Sequence, residues 1–219
     1  CSLKEDVNME RMTIHRALTE LKTLDSRIYN AIENGTYITP NKRSNQKING
    51  KTIEEHKRVI QGDYDKVASL IERRNKIKAA IVASNAKTKV TIAGNTMTVA
   101  EAIERKSSIK YDQHFLDILK AQYVRATTKV NRENEELPRK LEAYLQSVLG
   151  SKEQAKTEDV EFHTKSFTER NEYELIDPLQ LKEKIDKMEE EIENFLAEVD
   201  ACLSESNAIT FIFDEVAAE

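Results

Sequence analysis

Apolar positions in this chain recur mostly at helical spacings. Ile53, Ile60, Tyr64, Val67, Leu70, Ile71, Ile77 and Ile81 draw one stripe down a helix rather than filling one face of a strand. Thr52 and Glu55 ahead of them have the form of a capping box, in which each side chain satisfies an orphan N–H of the first turn. Gly62 weakens this helix without breaking it. After Ser84-Asn85 the period changes. Thr88–Ile92 and Thr96–Thr98 are rich in β-branched residues and flank Ala93-Gly94-Asn95, which reads as a β-hairpin turned at Gly-Asn. Thr98 and Glu101 repeat the capping box and open a second long helix. Its apolar row recurs every seven residues at Ile109, Leu116, Tyr123, Val130 and Leu137. Pro138 is expected to kink or end it, since proline lacks the N–H and clashes with the preceding turn. A last stretch with Leu141, Leu145 and Val148 reaches Gly150.

The remaining chain follows the same logic. Thr13 caps a helix carrying Ile14, Leu18, Leu21, Ile28 and Ile32, which ends at Asn34-Gly35, residues that tolerate the left-handed stop. Residues 35–51 are polar and turn-rich, and Asn49-Gly50 predicts a short hairpin or exposed loop. Residues 150–176 read as a linker in which Val160–His163 and Tyr173–Ile176 alternate like strand edges. Asp177 then caps a final helix with Pro178 in its first turn. There Leu181, Ile185, Met188, Ile192, Phe195, Val199 and Cys202 alternate spacings of four and three, a coiled-coil seam. Ala208–Phe213 reads as a short strand or an apolar docking tail.

These elements predict a mainly α fold: a long antiparallel helical hairpin or coiled-coil bundle with a small β-hairpin tip and minor β segments. Residues 1–12 form a flexible N-terminal tail, 13–206 the helical domain with its tip at 88–98 and linker at 150–176, and 207–219 an apolar and acidic C-terminal tail. The arms 52–84 and 98–137, on the order of 50 to 60 Å long, are expected to lie side by side. An isolated helix with a narrow seam cannot bury that seam alone, so it must pair within the chain or with another chain.

Composition agrees with long solvated helices. Charged residues make up 33% and hydrophobic ones 39%, with few glycines and prolines and no tryptophan. The net charge of −5 argues against general affinity for nucleic acid, which requires basic surface to displace counterions. Charge is unevenly spread: Glu72–Lys89 holds six Lys/Arg and one acid, and Leu181–Cys202 eight acids and three lysines. The two stretches are expected to face each other in the fold, the basic one being otherwise a phosphate-binding patch. Cys1 and Cys202 do not support a disulfide framework, and Cys202 reads as a buried small hydrophobe. No run approaches the roughly 20 apolar residues that span a bilayer.

Candidate chemistry is sparse. His15, His56, His114 and His163 form no helical His-x₃-His pair, and no Cys-x-x-Cys, Gly-rich phosphate loop or Gly-x-Ser-x-Gly elbow occurs. His114 and Asp117 share a helical face, and a solvated surface is the simpler reading than a metal or general-base site. Phe115 and Ile118 fall off the seven-residue row and either widen it toward a third helix or mark an outer contact. The expectation is a chain without catalytic, cofactor-binding or metal-ligating residues. Its working residues would be the seams Ile109, Leu116, Tyr123, Val130, Leu137, Leu181, Ile185, Met188, Ile192, Phe195 and Val199.

One stretch carries a resemblance. Ile81, Asn85 and Thr88 at the end of one helix, and Thr98, Glu101, Ala102 and Arg105 at the start of the next, match the I-x-x-x-N-x-x-T and T-x-x-E-A-x-x-R motifs of small helical proteins. Asp177, Leu181 and Asp186 fall near a closing-helix motif. In these the chain resembles the septicolysin-like family. It departs by insertions at 35–51 and 137–160 and by its tail past Ser206. The resemblance implies a helical fold with a hairpin tip and, through the family's name, cytolysin-like activity; it supplies no catalytic residues. Chains of this type also resemble phage and prophage reading frames. The reading is therefore a non-enzymatic helical assembly protein, a homo-oligomer or binder of a protein partner, in host cytoplasm or a virion. It binds no nucleic acid and no membrane. The alternative is a membrane-active protein using Ile209–Phe213 as its apolar contact.

Overall fold

A computed structural model describes residues 9–151 and 153–213. The protein is mainly α. In chain order the elements are β1 (Met12–Thr13), α1 (Ile14–Asn34), β2 (Lys47–Ile48), β3 (Lys51–Thr52), α2 (Ile53–Lys87), β4 (Lys89–Ile92), β5 (Asn95–Thr98), α3 (Val99–Leu149), α4 (Thr157–Asn171), α5 (Leu181–Ile209) and β6 (Phe211–Ile212). The chain divides into two compact units. Among the described residues the first comprises 9–107 with 195–213, and the second is Ser108–Asn194.

In the first unit α1 packs on α2. Ala17, Leu21, Leu24 and Ile28 of α1 share one core with Leu70, Ile77 and Ile81 of α2 and with Met12, Ile14 and Ile212. Glu20 and Asp25 of α1 pair with Arg73 and Arg74 of α2 beside that core. Within the first unit α1 covers the apolar face of α2. The reason is reach. From Ile14 to Ile28 α1 offers an unbroken stripe, with Ala17 fully buried and small enough for close approach, and it meets the C-terminal half of α2, where all of that helix's buried residues lie.

The predicted starts hold in atomic detail. Thr52 Oγ1 accepts from Glu55 N–H while Thr52 N–H donates to the Glu55 carboxylate at 2.6 Å. Thr98 and Glu101 do the same at the head of α3. Asn49 (φ 49°) and Gly50 (φ 81°) turn the β2–β3 hairpin, and Ala93 (φ 49°) and Gly94 (φ 78°) turn β4–β5. Two successive positive φ values make each a two-residue turn whose twist suits the flanking strands. The second turn is therefore Ala-Gly rather than Gly-Asn, and Asn95 already pairs with Ile92 in the ladder.

Four expectations are corrected. Met12 is buried and pairs with Ile212, and Met9 packs on the core, so 9–12 are not a loose tail; residues 1–8 lie outside the described residues. The helix does not end at Pro138: α3 runs through it to Leu149 and stops at Gly150 (φ 70°). The stretch 157–171 is helix α4, not a strand edge. Four alternating residues mislead there, while Glu158 and Asp159 in the first turn and Arg170 in the last suit the helix dipole. Finally, Pro178 precedes rather than enters α5. Asp177 caps the N–H of Leu181 at 3.0 Å, across a turn in which Gln180 takes φ 52°. The C-terminal stretch is helix to Ile209 and then the short strand β6.

The end of α1 is right in place and different in mechanism. Gly35 is extended (φ −77°), not left-handed. Tyr37 folds back and donates its hydroxyl to the carbonyls of Ala31 (2.9 Å) and Ile32 (3.0 Å). A Cβ on residue 35 would stand 2.3 Å from the Tyr37 oxygen, so any other residue there must push the phenol aside.

Candidate interaction surfaces

The predicted seam residues are turned inward within the single chain. Ile109, Leu116, Ile185, Ile192, Phe195 and Val199 are buried, and Tyr123, Val130, Leu137, Leu181 and Met188 are half-buried. In the first unit Lys106 of α3 ion-pairs with Asp200 of α5, and Arg105 lies over the Phe195 ring. In the second, Lys120 pairs with Glu189. Cys202, half-buried, places its thiol 3.6 Å from the Thr91 carbonyl.

What faces outward differs from what the seven-residue row marked. Tyr111, Phe115 and Ile118, spaced four and three on α3, are exposed, Phe115 at 53%. Phe115 and Ile118 thus do not widen the seam but are exposed. Leu175, Ile176 and Leu179 are exposed in the extended connection before α5, Ile176 at 93%. That connection is tied to α3 at Tyr173. Asn134 of α3 donates Nδ2–H to the Tyr173 carbonyl and accepts the Tyr173 N–H, both at 2.8 Å. Lys129 lies 5.8 Å over the Tyr173 ring.

Helix α4 docks on α3 through aromatic contacts. Tyr144 stacks on Phe167 at 4.8 Å and meets His163 edge-on, its hydroxyl 3.2 Å from His163 Nδ1. Val160, His163 and Phe167 stand three and four residues apart, a helical signal that the four-residue alternation concealed. Neither the Asn134 clamp nor this cluster was among the predicted residues. A lone Asn carries no sequence signal for a partner so far along the chain.

Comparison with protein-family models, curated proteins and solved structures found no match.

The charged stretches make their ion pairs elsewhere than with each other. Arg73 and Arg74 go to α1, and Lys76 goes to Glu72 on its own helix. Asp200 and Glu189 go to lysines of α3, and Glu198 accepts the backbone N–H of Ala93. Of the two stretches expected to face each other, 72–89 sends Arg73 and Arg74 to α1 and 181–202 sends Glu189 and Asp200 to α3. The Glu20 carboxylate raises the Arg73 pKa by accepting its hydrogen bond. The Thr52 and Thr98 N–H groups hold Glu55 and Glu101 below the usual carboxylate range.

His114 and Asp117 are both exposed on α3. Among the described residues no three His, Cys, Asp or Glu side chains are grouped to hold a metal. No described helix is long and apolar enough to cross a membrane. In the 209–213 segment, Ile209 is exposed, Ile212 is buried against β1, Phe213 packs on the core, and Phe211 lies under the Arg11 guanidinium at 3.8 Å.

Proposed function

We propose that this chain is a non-enzymatic helical assembly protein that associates with itself. The supporting observation is the split between its apolar surfaces. The predicted seams are covered by the chain's own helices, whereas Tyr111, Phe115 and Ile118 on α3, and Leu175, Ile176 and Leu179 before α5, are left toward solvent. Clustered apolar side chains of this size mark association surfaces. The reading needs no cofactor and no nucleic acid, in keeping with a net charge of −5. The resemblance to phage and prophage chains gives its setting, a structural or host-interaction component of host cytoplasm or virion. Multi-angle light scattering between about 1 and 100 µM tests it. A mass that grows with concentration supports the reading, and a strict monomer throughout overturns it.

A further inference from the structure

We infer that a groove between α1 and α2 receives the acidic start of α5, with the apolar segment ahead of it, from a second copy of the chain. The inference rests on the self-association reading above and gives it a contact. Two hollows of about 390 and 380 Å³ open on one side of the α1–α2 pair and meet at Asp25 and Arg74, which line both. One is basic, lined by His15, Lys22 and Lys78; the other is apolar, lined by Tyr29, Ile32 and Ile71. Residues 15, 18, 22, 25, 29 and 32 follow spacings of three and four, so they are one face of α1. Arg74 is neutralised by Asp25 at 2.8 Å, but Lys22 and Lys78 have no ion pair among the described residues.

The proposed occupant carries the complementary pattern in order. Leu175, Ile176 and Leu179 come first, then Glu183, Glu190 and Glu193 on one face of α5. These three acids are exposed and have no ion pair among the described residues. The spacing agrees. Lys22 precedes Tyr29 by seven residues and Ile32 by ten, about 10–15 Å along a helix. Leu179 precedes Glu183 by four and Glu190 by eleven, about 6–16 Å. Setting apolar against apolar and acid against base gives one direction: the entering α5 runs antiparallel to α1 and parallel to α2. Complementary charge fixes this register and steers the encounter. Groove and occupant are different surfaces, so each contact joins the groove of one copy to the start of α5 of another.

Sedimentation velocity on the full chain tests this at low and high salt. The wild type should associate, and more weakly in 0.5 M salt. Lys22→Glu with Lys78→Glu, and separately Glu190→Lys with Glu193→Lys, should each weaken association at least tenfold. An equimolar mixture of the two variants should regain it, because each reversed surface meets its reversed partner. These side chains are exposed, and circular dichroism will verify that both variants fold; Ile176→Ser, which leaves the charges untouched, should also weaken association. If the wild type associates but the variants do so equally well, or the mixture regains nothing, this contact is wrong and self-association stands. A monomeric wild type overturns both.

Discussion

Gly35 and Tyr37 show how one side chain's position dictates its neighbour's identity. The phenol that satisfies the last carbonyls of α1 lies where any Cβ on residue 35 would be. Gly35→Ala is expected to displace the ring and cost about 1–2 kcal/mol, and Tyr37→Phe about 1 kcal/mol, through the lost hydrogen bonds. Urea unfolding of both variants measures this; unchanged midpoints would count against the capping role. The sequence marks the stop of α1 correctly, but its reason was not legible, because Gly after Asn usually signals a left-handed residue. The capping boxes at Thr52 and Thr98 were legible because donor and acceptor sit three residues apart. Asn134 is the opposite case. Its two bonds to Tyr173 close a separation of 39 residues, and Asn134→Ala should free the connection before α5. Faster proteolysis at 173–180 with α5 still helical is the expected result.

At the scale of elements, periodicity sustained over many turns was reliable and short patterns were not. α3 and α5 bury or half-bury their predicted rows, and α2 does so except at Tyr64 and Ile71, which are exposed, while α4 was hidden because its four alternating residues resemble a strand edge. Pro138 illustrates a local rule overridden by a long helix: its cost is limited to one missing bond to the Asn134 carbonyl and local crowding. Pro138→Ala is therefore expected to raise the stability of the second unit by roughly 1–3 kcal/mol, read from its urea midpoint. The helix starts carry a pH dependence. Glu55 and Glu101 have folded pKa values below their unfolded ones, so their contribution is present above the usual carboxylate range. It is lost as pH falls through the depressed values. Amide protection in the first turns of α2 and α3 should fall selectively in that acid window, and Glu55→Gln and Glu101→Gln should blunt the dependence.

For the molecule as a whole, what sequence patterns could not supply was the choice of partner. Apolar stripes and opposite charges announce that a surface wants covering without saying which element covers it. α1 takes the apolar face of α2, Arg73 and Arg74 pair with α1, and Glu189 and Asp200 pair with α3. The pairing of β1 with β6 was equally hidden, since two-residue strands have no period. It is nonetheless central to the first unit: Ile14 donates its N–H to Thr210 at 2.9 Å, and Ile212 is 5% exposed within the core of α1 and α2. Ile212→Ala should cost about 2–5 kcal/mol, and calorimetry should show the loss as a lower melting temperature for that unit.

This late strand has a consequence during synthesis. Residues 9–107 leave the ribosome long before 195–213 exist, so the nascent chain carries an open apolar seat beside Met12 and Ile14 while the whole intervening segment is translated. At typical elongation rates the exposure lasts on the order of several seconds. A chain stalled before Phe211 should be a client of chaperones, and the released chain carrying Phe211–Phe213 should not.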